Sequence, residues 1–144
     1  MNTEATLKKV STTKNSLVLR TDFSDDSAWE ALCLEIQRPV GDFRAYVDFL
    51  SDPEYDGLTT EQLVTLVPKD FNHTFVFVVD QRALSHPDHP ILVVDLSEDP
   101  GASFRVIPSE MWGVENNLSI ANMDFYEFAE NVDPDGVFRG FPEN

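Results

Sequence analysis

Residues Thr74 to Val79, TFVFVV, form an unbroken apolar run that stops at Asp80. A strand with one wet face alternates apolar and polar residues. A run without that alternation, bounded in this way, is the pattern of a strand covered on both faces. Such cover comes from helices packed above and below a sheet, so this short run points to a layered α/β domain. Ile91 to Leu96 (ILVVDL) predicts a second buried strand, and Ser16 to Thr21 (SLVLRT) a short central one.

Between these runs the pattern changes to a helical period. Trp29, Leu32, Cys33 and Ile36 stand at i, i+3, i+4 and i+7 and define one apolar face. Ser27 and Glu30 fit a capping box for this helix, which runs to Gln37 before Pro39 and Gly41. Cys33 falls on the buried face and reads as a small apolar core residue. Phe43 to Leu50 alternates, with Phe43, Ala45, Val47 and Phe49 on one side and Arg44, Tyr46 and Asp48 on the other, which predicts a strand near a sheet edge. Thr59 and Gln62 form a second capping box, opening a short helix that stops at Pro68. Asp80 is placed to cap a single helical turn over Gln81 to Leu84. After the Ser97 to Gly101 turn, Ala102 to Ile107 should return antiparallel. Leu118 and Ile120 read as a brief strand or an irregular segment. Asp124 and Glu127 make a third box for a helix to about Asn131. Asp133-Pro134-Asp135-Gly136 has the chemistry of a β-turn, and the apolar Val137, Phe138 and Phe141 should pack back on the domain.

The expected architecture is a single α/β domain over residues 16–142. It has a mixed, mostly parallel sheet of about five strands with a C-terminal hairpin, covered by three helices. Right-handed crossovers make the first three strands parallel. The stretch between the third and fourth strands is short for a crossover, which leaves the direction of the fourth strand open. Residues 1–15 are polar, lack periodicity and read as a disordered tail.

Charge narrows the function. The 144 residues carry 26 acids against 10 Lys and Arg, a formal net charge of −16. That balance repels nucleic-acid phosphates and anionic membranes, so neither direct nucleic-acid binding nor membrane association is expected. No apolar run reaches the roughly 20 residues of a membrane helix. The N-terminal residues lack the apolar core of a signal peptide, and a lone cysteine cannot make an internal disulfide, so a cytoplasmic, reducing setting is expected. The acidity either keeps the protein soluble or serves a partner, plausibly a basic protein. Imitation of a nucleic acid is a third use of the same charge, and requires acids regularly spaced along one face.

Three acids lie at predicted strand ends: Asp22, Asp80 and Asp95. Ligands bind beyond the carboxyl ends of parallel strands, and oxygen-rich clusters suit Mg²⁺. A Mg²⁺-dependent enzyme using these acids is therefore the alternative to a non-enzymatic, cofactor-free protein. Helix capping explains the same residues without chemistry. His86 and His89 stand in a proline-broken loop with no third ligand at zinc spacing. The chain has no G-x-S-x-G and no phosphate loop. The densest run of unusual residues spans Trp112 to Asn122. Here Trp112, Glu115, Asn116, Asn117 and Asn122 either hold an irregular loop by side-chain hydrogen bonds or present a recognition surface anchored by the tryptophan. Arg139 is placed to reach an acid of this loop and fix the tail.

The runs TDFSDDSAWEALC, HPILVVDLSEDPG, FRVIPSEMWGVENNLSIANMDFYEFA and DPDGVFRGF resemble a family of small bacterial proteins known as a domain of unknown function. The resemblance covers residues 16–141. It implies bacterial origin and one compact domain, and it transfers no catalytic residue. SIANMDFYEFAENV is also similar to the strand-to-helix ending of a superfamily of bacterial toxin-immunity proteins related to a yeast cell-wall regulator, although the N-terminal half departs from that pattern. Together these readings give a protein-binding module, an immunity-type inhibitor being one version, that recognises its partner through the acidic surface and the loop around Trp112.

Overall fold

The computed structural model describes residues 8–142. The chain runs β1 (Ser16–Arg20), α1 (Asp26–Gln37), β2 (Val47–Leu50), a 3-10 turn at Pro53–Tyr55, α2 (Thr60–Leu66), β3 (Phe75–Val79), α3 (Gln81–Ser85), β4 (Ile91–Asp95) and β5 (Ser103–Val106). A second 3-10 turn at Pro108–Glu110 leads into α4 (Met111–Ser119), followed by α5 (Phe125–Ala129) and β6 (Val137–Phe138). The strands form one mixed sheet in the order β2-β1-β3-β4-β5-β6. β1 pairs parallel with both β2 and β3, β4 runs antiparallel between β3 and β5, and β6 is parallel to β5. The open question about the fourth strand is thus resolved as antiparallel.

The apolar runs do what their pattern requires. All five residues of β1 and all five of β3 are buried. On one face Val18, Phe75, Phe77, Val79, Ile91 and Val93 meet Trp29, Leu32 and Ile36 of α1 and Met111, Val114 and Leu118 of α4. On the other, Leu17, Leu19, Val76, Val78 and Val94 meet Tyr55 and Leu63 and Leu66 of α2. Each such side chain contributes about 1.5–3 kcal/mol when fully buried. Among the described residues no helix is long and apolar enough to cross a membrane.

Several expectations are corrected. Among the described residues the sheet has six strands and there are five α-helices. The sixth strand is the two-residue β6, too short to show a period. The capping boxes at Thr59 and Asp124 are present, but α1 is capped by Asp25, whose carboxylate accepts from the Ala28 N–H, not by Ser27. The strand expected from Phe43 begins only at Val47. Val40 and Phe43 bond to each other across a tight turn, where Gly41 takes φ +61°. Within the tail expected over residues 1–15, Val10 packs on the domain while Lys8, Lys9, Ser11, Thr12 and Lys14 are exposed. Val10 is 1% exposed and donates its N–H to the Leu66 carbonyl, and the Tyr55 hydroxyl donates to the Lys8 carbonyl. Residues 1–7 lie outside the described residues.

The largest correction falls on Trp112 to Asn122, where a loop or brief strand was expected and helix α4 is found. Met111, Val114 and Leu118 occur at helical spacing and are buried, so packing holds the helix despite Gly113 and two asparagines, which are poor helix formers.

Candidate functional site

Glu115 is 3% exposed, projecting from α4 toward β1 and the residues before β2. Its carboxylate accepts from the Ser16 hydroxyl at 2.8 Å, the Tyr46 N–H at 2.8 Å, the Asn116 amide at 3.0 Å and the Ser119 hydroxyl. The Asn116 amide also donates to the Arg44 carbonyl at 3.1 Å. One turn of α4 therefore grips the backbone of residues 44–46, whose bond to the sheet before Val47 runs from the Ser16 N–H of β1 to the Tyr46 carbonyl at 3.1 Å. Asn117 donates to the Gly113 carbonyl and accepts from Asn122. Asn117 and Asn122 thus stabilise the end of α4 and its exit.

What the grip presents is aromatic. Phe43 stacks on Trp112 with ring centroids 4.5 Å apart and an interplanar angle of 16°. The Arg44 guanidinium lies over the Tyr46 ring at 4.9 Å. Phe43 and Tyr46 are 52% and 51% exposed, and Val40 is exposed beside them in sequence. Trp112 is only partly exposed, with one face of its ring against Phe43. Its Nε1 is the one buried side-chain polar atom without a hydrogen-bond partner among the described residues. Arg38 and Arg44 form no ion pair among the described residues, although the chain holds 26 acids. Trp112, Glu115 and Asn116 thus contact the segment on which Val40, Phe43, Arg44 and Tyr46 stand exposed. The alternation of Phe43, Arg44 and Tyr46 reads as a strand and hides their exposure, and no sequence signal singles out Val40.

The three strand-end acids do not come together. Asp95 pairs with Phe75 at the start of β3, whereas Asp80 follows the end of β3. Five strand residues separate them, about 16 Å. Asp95 accepts from the N–H groups of Ser97 and Asp99 and orders the β4–β5 turn. Asp22 accepts from Ser24. Among the described residues no three His, Cys, Asp or Glu side chains are grouped to hold a metal ion. His73 and His89 bond to the carbonyls of Thr13 and Ala83. Burial pushes the Cys33 thiol up to about 11, which removes its nucleophilic form at neutral pH.

Asp80 caps α3 through the Ala83 N–H and is held by both terminal nitrogens of Arg105, at 3.0 and 2.6 Å. Burial works to raise its pKa, but the Arg105 bonds and charge together with the Ala83 N–H outweigh it and leave the carboxyl below its ordinary value. A carboxyl depressed in the folded state adds stability that is complete above the unfolded value of about 3.9 and is lost as pH falls through the folded one. Asp80→Asn keeps the cap and removes the charge. We expect it to cost about 1–3 kcal/mol from pH 6 to 8. The gap to wild type in urea unfolding should close below about pH 4. A gap that stays constant down to pH 2.5 would mean that the charge contributes nothing.

Arg139 does not reach the Trp112 region. It pairs with Asp88 at 2.9 Å and with Asp133 and Asp135, both at 2.8 Å. The three carboxylates raise its already high pKa. The contact ties the turn before β6 to the loop after α3. The expected contact with an acid of the Trp112 stretch is not made.

Residues 15–141 match the model of a family described as Domain of unknown function (DUF6924). No curated protein matches the chain.

Proposed function

The chain belongs to this domain family, and we propose that it works as a non-enzymatic protein-binding module whose anchors are Val40, Phe43, Arg44 and Tyr46. The observation that carries this reading is the exposed Phe43 ring stacked on Trp112, in a segment whose backbone is fixed by the buried Glu115. Aromatic and arginine side chains dominate binding energy at protein interfaces. A segment already held in place loses little entropy when it is bound. The net charge of −16 favours a basic partner, because opposite charge steers encounter and makes it salt-sensitive. Arg38 and Arg44 then sit at the rim and meet acidic or polar groups within that partner. An immunity-type inhibitor of a basic toxin in the cytoplasm is one concrete form of such a module.

The test is affinity enrichment from a lysate of the source bacterium with two baits, wild type and Phe43→Ala/Tyr46→Ala. We expect a protein retained by wild type at low salt and released at about 0.5 M salt, where the Debye length shrinks to a few ångströms. The double variant should bind it at least about 30-fold more weakly, as truncation of a hot spot of about 2 kcal/mol implies. Its own melting temperature should stay close to wild type, since both rings are half exposed. Identical retention by the two baits would overturn the assignment of this surface.

A further inference from the structure

The carboxyl ends of β1 and β3 border a recess of about 300 Å³ lined by Thr21, Thr60, Leu63, Asp80, Leu92 and Arg105, among others. We propose that this recess binds a small uncharged molecule carrying a hydrogen-bond acceptor on a short apolar body. It is built from elements other than the Phe43 surface and does not depend on that surface binding a protein.

The topology makes the recess. β1 is followed by α1 on one face of the sheet, and β2 is followed by α2 on the other. A sheet whose connections diverge in this way leaves a crevice beyond its strand ends. Helix α2 covers β1 and β3 with Leu63 and Leu66. Leu92 on β4 and its register partner Arg105 on β5 lie on the same face and are only partly covered.

Two polar groups in the recess lack partners. Thr21 is 5% exposed. Its N–H donates to the Val79 carbonyl and its carbonyl accepts from Gly57, while its hydroxyl makes no hydrogen bond to protein among the described residues. That hydroxyl is not among the sealed polar atoms, so it opens on accessible space, and Thr21 lines the recess. Arg105 has five N–H donors. Three are used, two on Asp80 and one on the Pro90 carbonyl, and all of these leave from Nη1 and Nη2. The remaining Nε–H and second Nη2–H share one edge of the guanidinium, the fork that grips a planar acceptor. Nε makes no hydrogen bond and is not among the sealed polar atoms, so this edge reaches accessible space at Nε.

The charge balance selects the ligand class. Asp80 neutralises Arg105 across its other edge, so an anion gains little from the guanidinium and meets the Asp80 carboxylate and a chain of −16. A cation has only donors to face along the free edge. A neutral carbonyl can accept from the fork and from the Thr21 hydroxyl while its hydrocarbon part lies on Leu63 and Leu92. The volume is at the small end of the range for ligand sites, about 300–1,000 Å³, so few heavy atoms fit.

The probes are isovaleramide, isovalerate and isopentylamine, which share one branched tail and differ in charge. Each is titrated into the full chain while proton–nitrogen NMR follows Thr21, Thr60 and the Arg105 Nε–H. We expect saturable shifts with isovaleramide, with the two charged probes about tenfold weaker. Thr21→Val keeps the shape and, because the hydroxyl is unpartnered, the fold; it should weaken isovaleramide about five- to tenfold. Arg105→Lys keeps the charge on Asp80, loses the fork and should weaken it similarly. Three results overturn the proposal: no saturable shift with isovaleramide, isovalerate binding as tightly, or unchanged binding in both variants.

Discussion

Phe128→Ala is expected to lower the unfolding free energy by about 3–5 kcal/mol, the usual cost of emptying a buried phenylalanine site. For a domain of this size that is roughly 10–15 °C in melting temperature. Phe128 is 1% exposed, and its ring stands 6.1 Å from Phe104, 5.2 Å from Phe138 and 5.5 Å from Phe141. It therefore joins β5, β6 and the C-terminal segment through one side chain. Helix α5 has only five residues, too few to be stable alone, so docking of this ring holds it. Removing the ring should free β6 as well, and cleavage at Arg139 by trypsin should appear at temperatures where wild type resists. Tyr126→Ala is the internal control. It sits on the same helix, is 53% exposed, and should change stability by no more than about 0.5 kcal/mol. A Phe128→Ala loss under 1 kcal/mol would show that the aromatic cluster collapses into the space, and that α5 is held by its capping box instead.

The parts of this fold that could be read from the residues are those where one signal acts alone. TFVFVV has no polar face, so its burial on both sides follows directly. The Thr59-Gln62 and Asp124-Glu127 boxes are local chemistry and occur where expected. Reading failed where two signals compete. In Met111 to Ser119 a buried helical stripe coexists with Gly113, Asn116 and Asn117, whose weak propensity suggested a loop. Tertiary packing overrides propensity here. In Phe43 to Tyr46 the alternation is real but describes a segment clamped by α4 rather than a strand. The clamp comes from Glu115, 69 residues away from Tyr46, and no local pattern announces it. Asp22, Asp80 and Asp95 were grouped because each ends an apolar run. The antiparallel direction of β4 sends Asp95 to the other end of the sheet, and that direction depends on chain geometry rather than on any residue nearby.

Glu115 offers the sharper experiment, because two substitutions at one position should give opposite results. Its two oxygens serve the Tyr46 N–H and the Asn116 amide on one side and the Ser16 and Ser119 hydroxyls on the other. Glutamine can satisfy the same set. Its carbonyl accepts from Tyr46 and Asn116, and its amide donates to two hydroxyls, which can turn and accept. Glu115→Gln should therefore stay within about 1 kcal/mol of wild type. Glu115→Leu fills the space but strands the Tyr46 N–H and leaves the Ser16 and Ser119 hydroxyls, 3.1 Å apart, only each other, at about 1–3 kcal/mol for each group left unsatisfied away from water. A total near 2–4 kcal/mol is expected, roughly 6–12 °C in melting temperature. The loss should also be local before it is global. Amide exchange at Tyr46 and trypsin cleavage at Arg44 should accelerate in Glu115→Leu under conditions where β3 remains protected. That order of events separates a clamp on residues 44–46 from a general contribution to the core. If Gln and Leu destabilise equally, the negative charge rather than its acceptors is what the site requires. If Leu leaves Tyr46 protected, the segment carrying Phe43 is held by the Trp112 stack and not by Glu115.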